Sequence, residues 1–123
     1  DALPIYPNEL SQVVLNLISN AKDAFEDVSK TAHRAIEILI TADETYGIAQ
    51  ITDNAGGIDE EIIGRIFDPY FTTKEEGKGT GIGLYMSKTI VETNMGGLLE
   101  VANKDNGAVF TIKIPLAEGT IGG

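Results

Sequence analysis

The chain has 123 residues, enough for one domain with a real core, and carries nine basic residues against nineteen acidic ones for a net charge of −10. A surface of that sign repels a polyphosphate backbone over most of its extent and argues against nucleic acid as a partner class, while the lack of cysteine removes disulfides, thiolate metal sites and a thiol nucleophile. No apolar run approaches the ~20 residues needed to cross a bilayer and no signal-peptide pattern is present, so the expected setting is cytoplasmic, without membrane contact by this segment.

Leu10, Val13, Val14, Leu17, Ile18, Ala21, Ala24 and Phe25 share one face of a helix, with Asn8 as its expected N-cap after Pro7 and Glu9 near the positive end of the dipole. Ile36, Ile38 and Ile40 alternate with Glu37, Leu39 and Thr41, which predicts a strand over 34–43. A turn at Glu44 to Gly47 then leads into a second strand, Ile48 to Thr52. Asp59 is placed to cap a short helix through Arg65, and Asp68-Pro69 is expected to end it. From Asp68 to Thr80 the apolar periodicity stops and threonine, lysine, glutamate and glycine take over, which reads as a mobile loop. A second helix is expected from the glycines near Gly81 through Leu84, Ser87, Ile90 and Val91, ending at Asn94 to Gly97. Two strands follow, Leu98 to Asn103 and Ala108 to Pro115, joined by a hairpin turn over Lys104 to Gly107. Leu116 to Gly123 reads as a frayed tail. A first residue other than methionine and the Ile121-Gly122-Gly123 end predict a piece of a longer protein. The expected architecture is therefore one domain, 1–123 with its core in 7–115, of α+β class: a two-layer sandwich of a mixed sheet with helices packed on one face.

Four short stretches carry the chemistry: NLISNAKDA from Asn16, DNAGGI from Asp53, FDPYFTTK from Phe67 and GTGIGL from Gly79. Asn16 and Asn20 lie four apart and so stack on one side of the first helix, near its inward stripe. Their amides suit either neighbouring backbone or magnesium, which accepts oxygen ligands and keeps others from water and phosphate. Asp53 ends a strand before Asn54, Ala55, Gly56 and Gly57, a sharp turn where backbone approaches a ligand closely. Its carboxylate only accepts hydrogen bonds, which suits an exocyclic amino group such as that of adenine; taken alone, an ordinary Asp-Asn turn is the simpler account. Gly79, Gly81 and Gly83 open a helix, where free amides favour phosphate, although a hinge needs the same glycines. The pattern is neither a Rossmann fingerprint, which needs a strand directly before it, nor a P-loop, which needs Gly-Lys-Ser/Thr. Thr72, Thr73 and Lys74 sit beside Phe67, Tyr70 and Phe71, where they are placed to reach a terminal phosphate, and Lys78 is a second nearby cation. His33, the one histidine, lies in a polar connection and reads as a solvated loop residue.

In this order and spacing the four stretches resemble the N box, first glycine box, F box and second glycine box of the catalytic and ATP-binding domain of bacterial two-component sensor histidine kinases. The resemblance spans about Pro7 to Pro115 and implies the Bergerat ATP-binding fold, with ATP and magnesium as cofactors and an ATP lid over about 68–80. It implies Asn20 as magnesium ligand, Asn16 at the metal or phosphates, Asp53 at the adenine amino group with Gly57 shaping that end, and Gly79, Gly81 and Gly83 around the phosphates. Asp23, Ile58, Lys78, Thr80 and Leu84 join the implied cofactor-binding set, and Asn16, Thr72, Thr73 and Lys74 the implied catalytic set. The Pro69-Tyr70-Phe71-Thr72-Thr73-Lys74 form is similar to the nitrogen-sensing class. Many other sensor kinases place an arginine in this segment, Ala55 replaces the middle glycine of the usual first glycine box, and Asp23 stands where many relatives have lysine.

Fold relatives include the gyrase B subunit, mismatch-repair ATPases and heat-shock chaperone ATPases, and those hydrolysing relatives resemble one another in a water-activating glutamate where this chain has Asn16. An amide takes no proton from water. The implied reaction is therefore γ-phosphoryl transfer to a histidine of a separate phosphoacceptor domain, with a response regulator downstream. A nucleotide-responsive binding module and an ATPase are the competing readings.

Overall fold

Proline at position 7 opens α1 (Pro7–Glu26), where its fixed φ suits a first turn and its missing N–H is not needed. Asn8, expected as the cap, consequently lies inside the helix. The structure, a computed structural model, describes residues 7–26, 33–72 and 82–116. Along α1 a four-residue spacing buries Val13, Leu17, Ala21 and Phe25.

β1 (Ile36–Ala42) and β2 (Tyr46–Asp53) form the first hairpin. Its turn starts a residue earlier than expected, because the Asp43 carboxylate accepts from the amides of Thr45 at 2.8 Å and Tyr46 at 2.7 Å and folds the chain back on itself. The same two amides, Tyr46 first, hold the Asp43 carboxyl below its ordinary range. The helix expected from Asp59 is only a single 3-10 turn, Ile63–Arg65. Asp59 instead spends its side chain on the amide of Glu61 and its carbonyl on Ile62 and Ile63, which makes a turn of the segment that periodicity reads as helical.

α2 is described from Gly83 to Thr89 and widens into a π turn, Ile90–Asn94, closed by Gly96 at φ +67°. The expected start at Gly81 lies outside the described residues. β3 (Leu98–Lys104) and β4 (Gly107–Pro115) make the second hairpin around Asp105 and Asn106, both at positive φ, as a two-residue turn requires. Leu116, expected in the frayed tail, is tied by its amide to the Thr45 carbonyl at 2.8 Å; 117–123 lie outside the described residues.

The strands run in the order β1-β2-β4-β3. The class is α+β, as expected, but the sheet is antiparallel in all of its described pairings and not mixed, since two hairpins joined through β2 and β4 need no parallel crossover. Register sets Ile51 against Phe110 and Ile112 against Leu99, so these side chains share the face on which Val13, Leu17 and Val91 pack. Helices thus cover one face. β1 lies at the rim, where Ile38 and Ile40 stay exposed although they follow the same alternation.

Candidate functional site

Two contacts orient α1 over the sheet: the Asn94 amide donates to Glu9 at 2.8 Å near its start, and the Arg34 guanidinium sits 5.8 Å from the Phe25 ring centroid near its end. Arg34 leads into β1, whose first residue pairs with Asp53, so α1 runs towards the end of the sheet where β2 finishes.

Asp53 is buried there. Its Oδ1 accepts from the amides of Ala55 at 3.0 Å and Ala108 at 3.3 Å, leaving Oδ2 without a partner among the described residues and not sealed from solvent. A side chain at Gly107 would overlap the Asp53 carbonyl, so β4 approaches β2 this closely only through glycine. The turn that follows uses positive φ at Gly56 (+98°) and Gly57 (+83°), and a Cβ at Gly57 would stand 2.9 Å from Asn103 Oδ1. Asn103 pins this loop: it accepts from the Ile58 amide at 2.7 Å and donates to the Ile58 carbonyl and to Glu60, each at 2.7 Å. The Gly56 amide donates to the Asn106 carbonyl at 2.8 Å, and Asn54 bridges the His33 carbonyl and the Ala35 amide. Asn103, Asn106 and Gly107 escape sequence reasoning as site supports, because their partners lie some fifty residues away and Gly107 looks like turn chemistry alone.

Asn16, Asn20 and Asp23 are half-buried along one flank of the α1 core stripe. The Asn16 amide donates from Nδ2 to Ser87 Oγ at 2.9 Å, and a Cβ at Gly83 would stand 2.9 Å from both Nδ2 and Oδ1. Gly83 therefore admits Asn16 between the helices, a packing duty not visible in a glycine-rich helix start. The Asn20 side chain makes no hydrogen bond with the described residues. Leu84 and Ile58 pack against the core edge. A groove of about 680 Å³ between α1 and α2 includes Asn16, Gly83 and Ser87 in its lining, whereas Asn20, Asp53 and Gly57 lie outside it.

Phe67 meets Phe110 edge-on, with centroids 6.2 Å apart, and Lys88 Nζ lies 4.8 Å from the Phe67 centroid. Lys88 also donates to Glu92 at 2.9 Å and to the Leu99 carbonyl at 3.0 Å, while Glu92 accepts from the Leu99 amide at 3.1 Å. Burial pushes the Glu92 carboxyl up, but the Lys88 and Leu99 hydrogen bonds and the Lys88 charge outweigh it and hold the group below its ordinary range. Arg65 covers the Phe71 ring at 4.8 Å, and Tyr70, exposed, takes φ +67°, an unusual backbone state for a bulky residue. Thr72 is exposed at the end of the described stretch, as is His33 in its own connection. Thr73, Lys74, Lys78, Gly79, Thr80 and Gly81, and with them most of the expected lid over 68–80, lie outside the described residues.

Residues 5–118 match the family model described as histidine kinase-, DNA gyrase B- and HSP90-like ATPase. The chain is 44% identical over 112 residues to the two-component sensor PprA of Pseudomonas aeruginosa, covering 89% of itself and 12% of PprA. It is 36% identical to sporulation kinase A of Bacillus subtilis, covering 88% of itself and 17% of that kinase. It therefore spans a small part of the length of these relatives. Among solved structures it resembles the nucleotide-free catalytic domain of histidine kinase ThkA, with a TM-score of 0.76 at 33% identity, covering 89% of this chain and 68% of that one. Among the described residues no helix is long and apolar enough to cross a membrane.

Proposed function

We propose that this chain, which belongs to the family of histidine kinase-, DNA gyrase B- and HSP90-like ATPases, is the ATP-binding catalytic domain of a sensor histidine kinase that donates the γ-phosphoryl group to a histidine on a separate phosphoacceptor domain. The domain extends over 1–123, works in the cytoplasm and feeds a response regulator. The observation that carries the nucleotide reading is the Asp53 carboxylate: two backbone amides hold Oδ1 in place, so the unpartnered Oδ2 is a fixed acceptor for the adenine amino group. Gly57 and Ile58, braced by Asn103, shape the same end.

The residues present fit magnesium. Asn16 keeps its Oδ1, and Asn20 its whole amide, free of partners among the described residues, and two amide oxygens on one helix side suit a small hard cation that takes further oxygens from phosphates and water. Held there, magnesium would supply positive charge against the phosphates. Asn20 is the direct ligand and Asn16 assists. Asp23, Leu84, Gly83, Gly79, Gly81, Thr80 and Lys78 complete the nucleotide set, and Thr72, Thr73 and Lys74 are assigned the catalytic role at the transferred group. In the reaction the bond from the γ-phosphorus to the oxygen of ADP breaks, and a phosphorus–nitrogen bond forms at the acceptor imidazole. Asn16 favours transfer over hydrolysis, because an amide removes no proton from water.

The test mixes the chain with a sensor-kinase phosphoacceptor domain and ATP labelled at the γ-phosphate. Label should appear on the acceptor histidine, slowly, because the untethered domains meet at bulk concentration. Vigorous phosphate release by the chain alone, or label on His33, would overturn the reading.

A further inference from the structure

Among the described residues only Asp53 and Ser87 are buried polar side chains. Asp53 belongs to the adenine end. Ser87 is 2% exposed between α1 and α2, where alanine would avoid the cost of burying a hydroxyl. Its side-chain partner is Asn16, whose Nδ2 donates to Ser87 Oγ at 2.9 Å.

We infer that Ser87 is a positioning residue of the nucleotide site, acting through Asn16; the inference rests on the role proposed for Asn16 beside the metal and phosphates. An asparagine amide has two ends of nearly equal shape and opposite chemistry. Turned one way it offers an oxygen to a cation, and turned the other way an NH₂ that binds none. Two features hold the amide in place. The bare Cα of Gly83 lets the flat amide lie against it, since a Cβ would come within 2.9 Å of both terminal atoms. Ser87 then holds the amide by a hydrogen bond: with Nδ2 donating to Oγ, Oδ1 is the atom left for a ligand, and it accepts nothing from the described residues. Gly83 and Ser87 lie one helical turn apart on α2, so one short face of that helix both admits Asn16 and holds it there. The metal then meets an oxygen already in place, and no part of its affinity is spent turning the amide.

ADP affinity measured by calorimetry with and without MgCl₂ tests this, in the parent, Ser87→Ala, Ser87→Thr, Asn16→Ala and the double variant of Asn16→Ala with Ser87→Ala. The parent should bind more tightly with magnesium. Ser87→Ala should lose about three- to ten-fold of that gain while metal-free affinity stays, as expected for one lost orienting hydrogen bond. Ser87→Thr, which keeps the hydroxyl, should restore it, and in the Asn16→Ala background Ser87→Ala should change nothing further. A parent indifferent to magnesium sinks the metal reading, and this inference with it, before any variant is made. A parent that responds to magnesium beside a Ser87→Ala variant that is unchanged, or equally weakened with and without metal, overturns the positioning role alone. Should Ser87→Ala not fold, Ser87→Cys, a feeble acceptor of similar size, replaces it in the same cycle. Nitrogen-15 spectra of the parent decide independently: Asn16 Nδ2 protons that are protected from exchange and close to the Ser87 β-protons support the role, and protons exchanging at solvent rates refute it.

Discussion

Gly107 and Asp53 show how a single missing side chain sets a site. β4 passes so close to the end of β2 that any Cβ at Gly107 would strike the Asp53 carbonyl, a backbone atom that cannot swing aside. Gly107→Ala should therefore destabilise the domain by about 3 kcal/mol or more, at the upper end of overpacking costs, and urea unfolding will measure it. In the proposed site Asp53 would separate fold from binding in a second way, because backbone amides take Oδ1 and leave Oδ2 for the nucleotide. Asp53→Asn keeps an oxygen for the amides of Ala55 and Ala108 but presents an NH₂ where Oδ2 stood. Stability should stay within about 1 kcal/mol while ATP affinity drops by about 1–3 kcal/mol and discrimination against guanine nucleotides relaxes, measured by calorimetry with ADP and GDP. If Asp53→Asn bound ADP like the parent, Asp53 would be a turn residue only.

α1 and both hairpins were readable in the sequence because their signals are local: the Val13-Leu17-Ala21-Phe25 stripe is one helical face, and Phe110, Ile112 and Ile114 alternate along one strand. What stayed hidden depends on distant partners. The Asp59 segment has helical composition, yet its hydrogen bonds close turns, and Asn103 has no local mark of bracing Ile58 from 45 positions away. The antiparallel sheet follows from β2 meeting β4, a pairing that no turn residue encodes. For the candidate site, Asn16, Asp53 and Gly83 could be singled out from the sequence pattern, whereas the closeness of Asn16 to Ser87 depends on how α1 and α2 pack. The tie of α2 to β3 through Lys88, Glu92 and Leu99 is another such contact, and it titrates. Since the folded Glu92 carboxyl sits below its ordinary range, its contribution is complete at pH values above that range and is lost as pH falls through the folded value. In urea unfolding from pH 6 to 3, Glu92→Gln should flatten the acid loss by at most about 1 kcal/mol, given how exposed the pair is, and leave a small deficit near neutrality. An acid profile identical to that of the parent would remove Glu92 from the account.

A protein of net charge −10 that takes up a polyphosphate adds like charge to like, so nucleotide binding depends on what neutralises the phosphates. Two sources of relief differ in a measurable way. Salt screens the long-range repulsion of the acidic surface and acts on all of it at once. Magnesium, held by the amide oxygens proposed at Asn16 and Asn20, acts at one place and needs those side chains. ADP should therefore raise the melting temperature appreciably only when magnesium is present; at a hundred times the dissociation constant the stabilisation is about 2.7 kcal/mol. Sodium chloride at matched ionic strength should not reproduce the shift, and Asn20→Ala should erase most of the difference between magnesium and salt. If salt alone gave the same shift, or if Asn20→Ala kept the magnesium effect, the acidic surface would be the obstacle that the metal relieves, and the amide pair on α1 would return to being ordinary helix asparagines.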